Sequence, residues 1–68
     1  MPSREETIIE NMKNHLEYLY VIRIRHQTWA DTTNNPELAR FHLEIDGLIK
    51  KTIDRYVVLL SEYDHLTE

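Results

Sequence analysis

The chain contains no cysteine, which excludes a disulfide framework or a thiolate metal site anywhere in its 68 residues. It holds a single glycine, Gly47, and two prolines, Pro2 and Pro36, so very little punctuates it. A chain this poor in turn residues is suited to long helices. It also lacks long apolar runs. The longest span five residues, as in YVVLL at 56–60, whereas a bilayer-spanning helix needs ~20. The opening MPSREET is charged, with no apolar stretch behind it, so no secretory leader is expected. Basic residues are the minority: eight Lys and Arg stand against twelve Asp and Glu, a net charge of −4. Such a chain has no general attraction for DNA, RNA or anionic lipid. The expectation is a soluble cytoplasmic protein with neither a nucleic-acid nor a membrane partner.

One segment has turn chemistry, ADTTNNPEL at residues 30–38. The short polar side chains of Asp31, Thr32, Thr33, Asn34 and Asn35 bond to nearby backbone and favour caps over helix interiors. Pro36 suits a first helical position, Asn35 an N-cap, and Glu37 the positive end of a helix dipole. At the other end, Ser3 and Glu6 have the spacing of a capping box. Together these signals predict one domain, residues 1–68, built as helix 4–30, turn 31–35 and helix 36–65.

The stretch LYVIRIRHQTW, residues 19–29, complicates this. Its alternating, β-branched start resembles a strand. However, Ile8, Met12, Leu16, Leu19, Ile22, His26 and Trp29 recur every three or four residues straight through it, widened by Ile9, His15, Tyr20 and Ala30. A strand there would find no other strand to pair with. In the second helix Leu38, Phe41, Ile45, Leu48, Thr52, Tyr56, Leu59 and Tyr63 repeat with the same period, flanked by Ile49, Ile53 and Leu60. Both segments are amphipathic helices by this criterion.

The fold expected is therefore all-α, an antiparallel hairpin of two long amphipathic helices. A core in so short a chain supplies only about 3–5 kcal/mol, and two helices touching along one line leave much of a wide apolar stripe in water. A second copy stacked on the first, forming a homodimeric four-helix bundle, is the expected remedy. Ile8, Met12, Leu16, Leu19, Ile22, Trp29, Leu38, Phe41, Ile45, Leu48, Tyr56, Leu59 and Tyr63 are the residues expected in the hairpin core or dimer interface. Val21, Ile24, Val57 and Val58 are apolar but fall off the stripes. They are the candidate contacts for a protein partner.

Residues able to carry chemistry are few. His26 lies roughly opposite His42, beside Trp29, and two histidines at one end of a bundle can bind metal or respond to pH. Their simpler role is as half-buried boundary residues bonded to a backbone carbonyl or a glutamate, and that reading is preferred. Glu62 and His65 form the Glu-x-x-His of four-helix di-iron proteins, with Glu5, Glu6 or Glu10 as facing carboxylates. The pattern is short, and it lies in a last turn. Arg23, Arg25, Lys50, Lys51 and Arg55 make a loose basic belt interrupted by Glu17, Glu44 and Asp54, better suited to surface ion pairs than to nucleic acid.

In the second helix, Glu44, Ile45, Asp46, Leu48 and Ile49 resemble the E-L-D-x-L-I part of the signature S-Q-E-L-D of the sporulation aspartyl-phosphate phosphatases, a family of small helical hairpins. His42 and Leu43 stand where that family has Ser and Gln. The resemblance covers about fifteen residues, and it implies that Asp46 acts on the phosphoaspartate of a response regulator. From the spacing alone, Asp46 reads as a solvent-side carboxylate one turn before Lys50. The chain has no phosphate-binding glycine loop and no nucleophile with a supporting triad. No catalytic residue, metal ligand or cofactor is assigned. The function expected is a small, non-enzymatic, regulatory or assembly module that docks a protein partner as a homodimer. The alternatives are the phosphatase-like hairpin and a di-iron-like metal hairpin.

Overall fold

The protein is described by a computed structural model covering residues 3–67. Pro2 lies outside the described residues. Two helices, α1 (Arg4–Thr32) and α2 (Pro36–Leu66), pack against each other as an antiparallel hairpin. Residues 19–29 are helical throughout.

The helix starts follow the capping chemistry. The Glu6 N–H donates to Ser3 Oγ at 3.2 Å, and the Ser3 N–H donates back to Glu6 Oε2 at 3.4 Å, completing the capping box. At α2, Asn35 Oδ1 accepts from the N–H groups of Glu37 and Leu38 at 2.9 and 3.4 Å, with Pro36 opening the helix. The first helix runs two residues beyond its expected end, leaving only residues 33–35 as the connection. There, Thr32 Oγ1 donates to the Thr28 carbonyl at 2.9 Å and the Thr33 N–H to the Trp29 carbonyl at 3.1 Å. These two bonds hold the last turn closed. No residue of the connection takes a positive φ, which is how a chain almost without glycine makes this reversal.

Most of the buried and half-buried residues follow a seven-residue repeat of the coiled-coil kind, with Ile8, Ile22 and Ile45 half-buried beside it. On α1 those of the repeat are Ile9, Met12, Leu16, Leu19, Arg23, His26 and Ala30, at alternating a and d positions, and Thr33 of the connection continues the series. On α2 they are Ala39, His42, Asp46, Ile49, Ile53, Tyr56, Leu60 and Tyr63. Ile53 is the most enclosed of the described residues, at 3% exposure, and Ala30 is the other buried one. By the register of the cross-helix pairs, Ala30 and Ala39 stand level with one another beside the connection, and their small side chains leave room for the helices to converge on a three-residue link.

The face that α2 turns towards α1 is therefore rotated from the line of leucines marked by the sequence. Ile49, Ile53 and Leu60, expected as flanks, line the hairpin interior together with Tyr56 and Tyr63. Leu38, Phe41, Leu48 and Leu59 are exposed in the single chain, and Trp29 with them. Arg23 and Asp46 explain the rotation. Their ion pair forms only when both occupy the inward line, and turning Leu38–Leu59 inward would pull Asp46 away from it.

The Cα atoms span 50 × 21 × 10 Å, so the hairpin is a slab one helix thick. Among the described residues no helix is long and apolar enough to cross a membrane.

Candidate functional site

Among the described residues, polar side chains meet across the hairpin at three levels and set its register. Furthest from the connection, His15 Nδ1 lies 2.9 Å from the Tyr56 hydroxyl, with the rings edge to face. Nearer the connection, Arg23 Nε donates to Asp46 Oδ1 at 2.8 Å and its Nη2 to Oδ2 at 3.3 Å, a bidentate pair. Gln27 Nε2 donates to the same Oδ1 at 3.1 Å. One turn nearer the connection, His26 Nδ1 and His42 Nδ1 are 2.9 Å apart.

The Arg23 and Gln27 contacts correct the solvent-side reading of Asp46. Its side chain retains only 14% exposure, and it pairs across the hairpin rather than along its own helix with Lys50. The Arg23 hydrogen bonds hold the Asp46 carboxyl below its ordinary value, overcoming the opposing effect of desolvation, with Gln27 adding to the lowering. The same contact raises the pKa of Arg23. Arg23 thus leaves the basic belt for the hairpin interior. Any action of Asp46 on a phosphoaspartate would have to begin from a carboxylate already bonded by two side chains.

The histidines expected to lie near one another are in contact, and they bond to each other rather than to a carbonyl or a glutamate. Two facing ring nitrogens at 2.9 Å need one N–H and one lone pair. Trp29 covers the pair, with ring centroids 5.1 Å from His26 and 5.5 Å from His42, and Phe41 packs edge-on against His42 at 6.2 Å. With both rings neutral, long-range 15N–1H correlation spectra are expected to show one ring as the Nδ1–H tautomer and the other as the Nε2–H tautomer. Two Nε2–H rings would mean that the contact does not persist in solution.

Glu62 and His65 are both exposed on the last turns of α2, and Glu6 is engaged in the α1 capping box. Among the described residues, no group of three or more His, Asp or Glu converges as a metal would require.

The four candidate partner contacts are all exposed: Val21, Ile24, Val57 and Val58. In the heptad frame, helices of an antiparallel pair turn their e positions towards one side of the hairpin and their g positions towards the other. Val57 takes an e position, Ile24 a b position on the e side, and Val21 and Val58 outer f positions. Tyr20 and Leu43 are also exposed on the e side, and a larger group lies on the g side: Ile22 and Trp29 from α1, with Leu38, Phe41, Ile45, Leu48 and Leu59 from α2. Phe41 is 58% exposed and Leu48 64%. The spacing of these residues was visible in the sequence. Their separation from the hairpin's own interior was not. Across the outer surface of α2, from its e side to its g side, Leu43, Glu44, Gly47, Leu48 and Lys51 line a shallow open depression.

The arrangement defines a helical hairpin with polar cross-links inside and an apolar face outside. No protein-family model matches the sequence, and no curated protein or solved structure is significantly similar to it.

Proposed function

We propose that this chain is a small interaction module whose working unit is a homodimer, two hairpins stacked as a four-helix bundle, and which docks a protein partner through Val21, Ile24, Val57 and Val58. One observation carries the reading. The hairpin exposes 5545 Å², whereas a folded monomer of 8.2 kDa exposes about 4,500 Å². The surplus, about 1,000 Å², is close to the ~800 Å² that each partner buries in a stable protein interface. A layer one helix thick has no second layer to cover its apolar side, and compact domains are built from at least two. A second copy supplies that layer without requiring another gene product.

The partner contacts lie away from the apolar g side, so self-association and partner docking need not compete. The chemistry on offer is that of a docking surface, and a regulatory or assembly role is its natural use.

Sedimentation equilibrium over a wide concentration range, with helicity followed by circular dichroism, tests the dimer. The expected species is helical, with a mass close to twice 8.2 kDa. A helical monomer at every concentration would refute the homodimer. The docking surface is tested by replacing Ile24 and Val58 with glutamate. The double variant should remain a folded dimer while losing a partner that the native protein retains. If the substitutions unfold it instead, these residues are structural.

A further inference from the structure

We propose that the second copy lies on the face formed by Ile22 and Trp29 of α1 with Leu38, Phe41, Ile45 and Leu48 of α2, with the two hairpins side by side and their loops at the same end. The proposal rests on the homodimer reading above and adds which face is covered and in which orientation.

The choice of face follows from how polarity is distributed around the hairpin. Its interior is interrupted by Arg23–Asp46 and His26–His42. Its e side alternates Tyr20, Leu43 and Val57 with Lys13, Gln27 and Lys50, so a partner covering it would have to bury cations. On the g side the six residues named above lie together along the half nearest the connection, and Arg25 is the charged residue bordering them. Ile22 and Ile45 are half-buried beneath, and Trp29, Leu38, Phe41 and Leu48 are exposed above. This is the apolar strip along which a second hairpin can remove the surplus surface without desolvating an ion pair.

The orientation follows from the position of the strip along the axis. Beyond Thr52 the same side becomes mixed, with Arg55, His15, Asn11 and Glu62 set among Leu59 and Ile8. A two-fold axis parallel to the helices lays apolar half on apolar half and mixed half on mixed half, in contact along the full slab. A two-fold axis perpendicular to the helices at mid-length would instead lay Phe41 and Leu48 on the mixed half. Moved to the level of Ile45, that axis would match the apolar halves but leave the other half of each hairpin uncovered.

The absence of native cysteine makes the test direct. Thr52 takes a g position facing the proposed two-fold axis, so Thr52→Cys should give a covalent dimer with a short bis-maleimide. Val58→Cys, on the outer surface, should not. In the opposite orientation about Ile45, the two copies of residue 52 would stand about 20 Å apart along the axis at 1.5 Å per residue. Cross-linking at Ile45→Cys but not at Thr52→Cys would therefore overturn the same-end arrangement. In parallel, Phe41→Glu with Leu48→Glu should raise the dimer dissociation constant at least 100-fold, and Ile24→Glu with Val58→Glu should change it less than threefold. If the native chain is a dimer and the first pair leaves it intact, the face is wrong and the homodimer stands. A native chain that is monomeric throughout overturns both. The cross-linking result decides the question if the glutamate pair unfolds the chain.

Discussion

Ile53→Ala is expected to abolish the cooperative thermal transition of the purified protein and to leave only residual helicity at 25 °C. Ile53 is enclosed to 3% exposure on the inward face of α2, and the register of the cross-helix pairs sets it level with Leu16. Truncating a buried isoleucine to alanine costs about 2–5 kcal/mol, from lost transfer free energy and from the cavity left behind. A single core in a chain of this length supplies about 3–5 kcal/mol, so one side chain accounts for most of the margin. Leu48→Ala, which shortens a side chain of the same size at 64% exposure, separates intrinsic packing from association. In dilute protein it should leave the melting temperature almost unchanged, and at high concentration it should lower it if Leu48 meets a second copy. If Ile53→Ala melts like the native chain, the inward face of α2 has been wrongly assigned.

The second large effect is expected at Arg23 and Asp46. Asp46→Ala removes the acceptor of two Arg23 hydrogen bonds and leaves a guanidinium at the hairpin interface without its carboxylate. Removing one partner of an enclosed pair is more damaging than removing both. The single variant should therefore melt well below the native chain, and further below it than Glu44→Ala, an exposed carboxylate two residues earlier on the same helix. The double variant Arg23→Met with Asp46→Leu should recover the lost stability or exceed it. Its hairpin should lose register definition, visible as a broader distribution of oligomers, because polar residues at inward positions select one alignment among several that apolar residues would accept. If the double variant is as unstable as Asp46→Ala, the ion pair contributes more than alignment.

Asp46 also gives this pair a signed pH dependence. Its carboxyl is lowered in the folded chain relative to the ordinary 3.8, chiefly by the Arg23 hydrogen bonds. The stabilisation is therefore present in full above the unfolded value and is lost as pH falls through the folded value. Stability should be flat with respect to this group near neutrality and fall in acid below that ordinary value. Asp46→Asn should flatten the acid limb in a melting series. The same substitution bears on a phosphatase-like role, since loss of activity in a variant at position 46 means little until its fold has been measured.

Much of the architecture was legible in the chain alone, because the signals that carry it are local. The Ser3–Glu6 capping box and the Asn35 side chain satisfy the first N–H groups of each helix from within four residues, and Pro36 has none to satisfy, so both starts could be placed without tertiary information. The three-and-four spacing from Ile8 to Trp29 outweighed the strand-like alternation at residues 20–25, and the segment is helical. The opposition of His26 and His42 also followed from a single turn and a constant rise per residue. The end of α1 was less legible. Asp31 and Thr32 are poor interior helix formers, yet the Thr32 hydroxyl bonds back to the Thr28 carbonyl and carries the helix on.

Only the tertiary structure decided which part of a broad apolar surface faces inward. Leu38–Leu59 and Ile49–Ile53–Leu60 are adjacent lines on one helix, and periodicity gives both the same weight. The choice is made by groups far apart in the chain: the fork of Arg23 closing on Asp46, the two histidine rings meeting under Trp29, and the alanines that let the helices converge at a three-residue connection. Each needs a partner 9 to 23 residues away in the sequence, and a rotation of α2 by one position breaks them together. Local chemistry therefore determined where the helices run, and cross-helix polar pairing determined which side of them remained for another molecule.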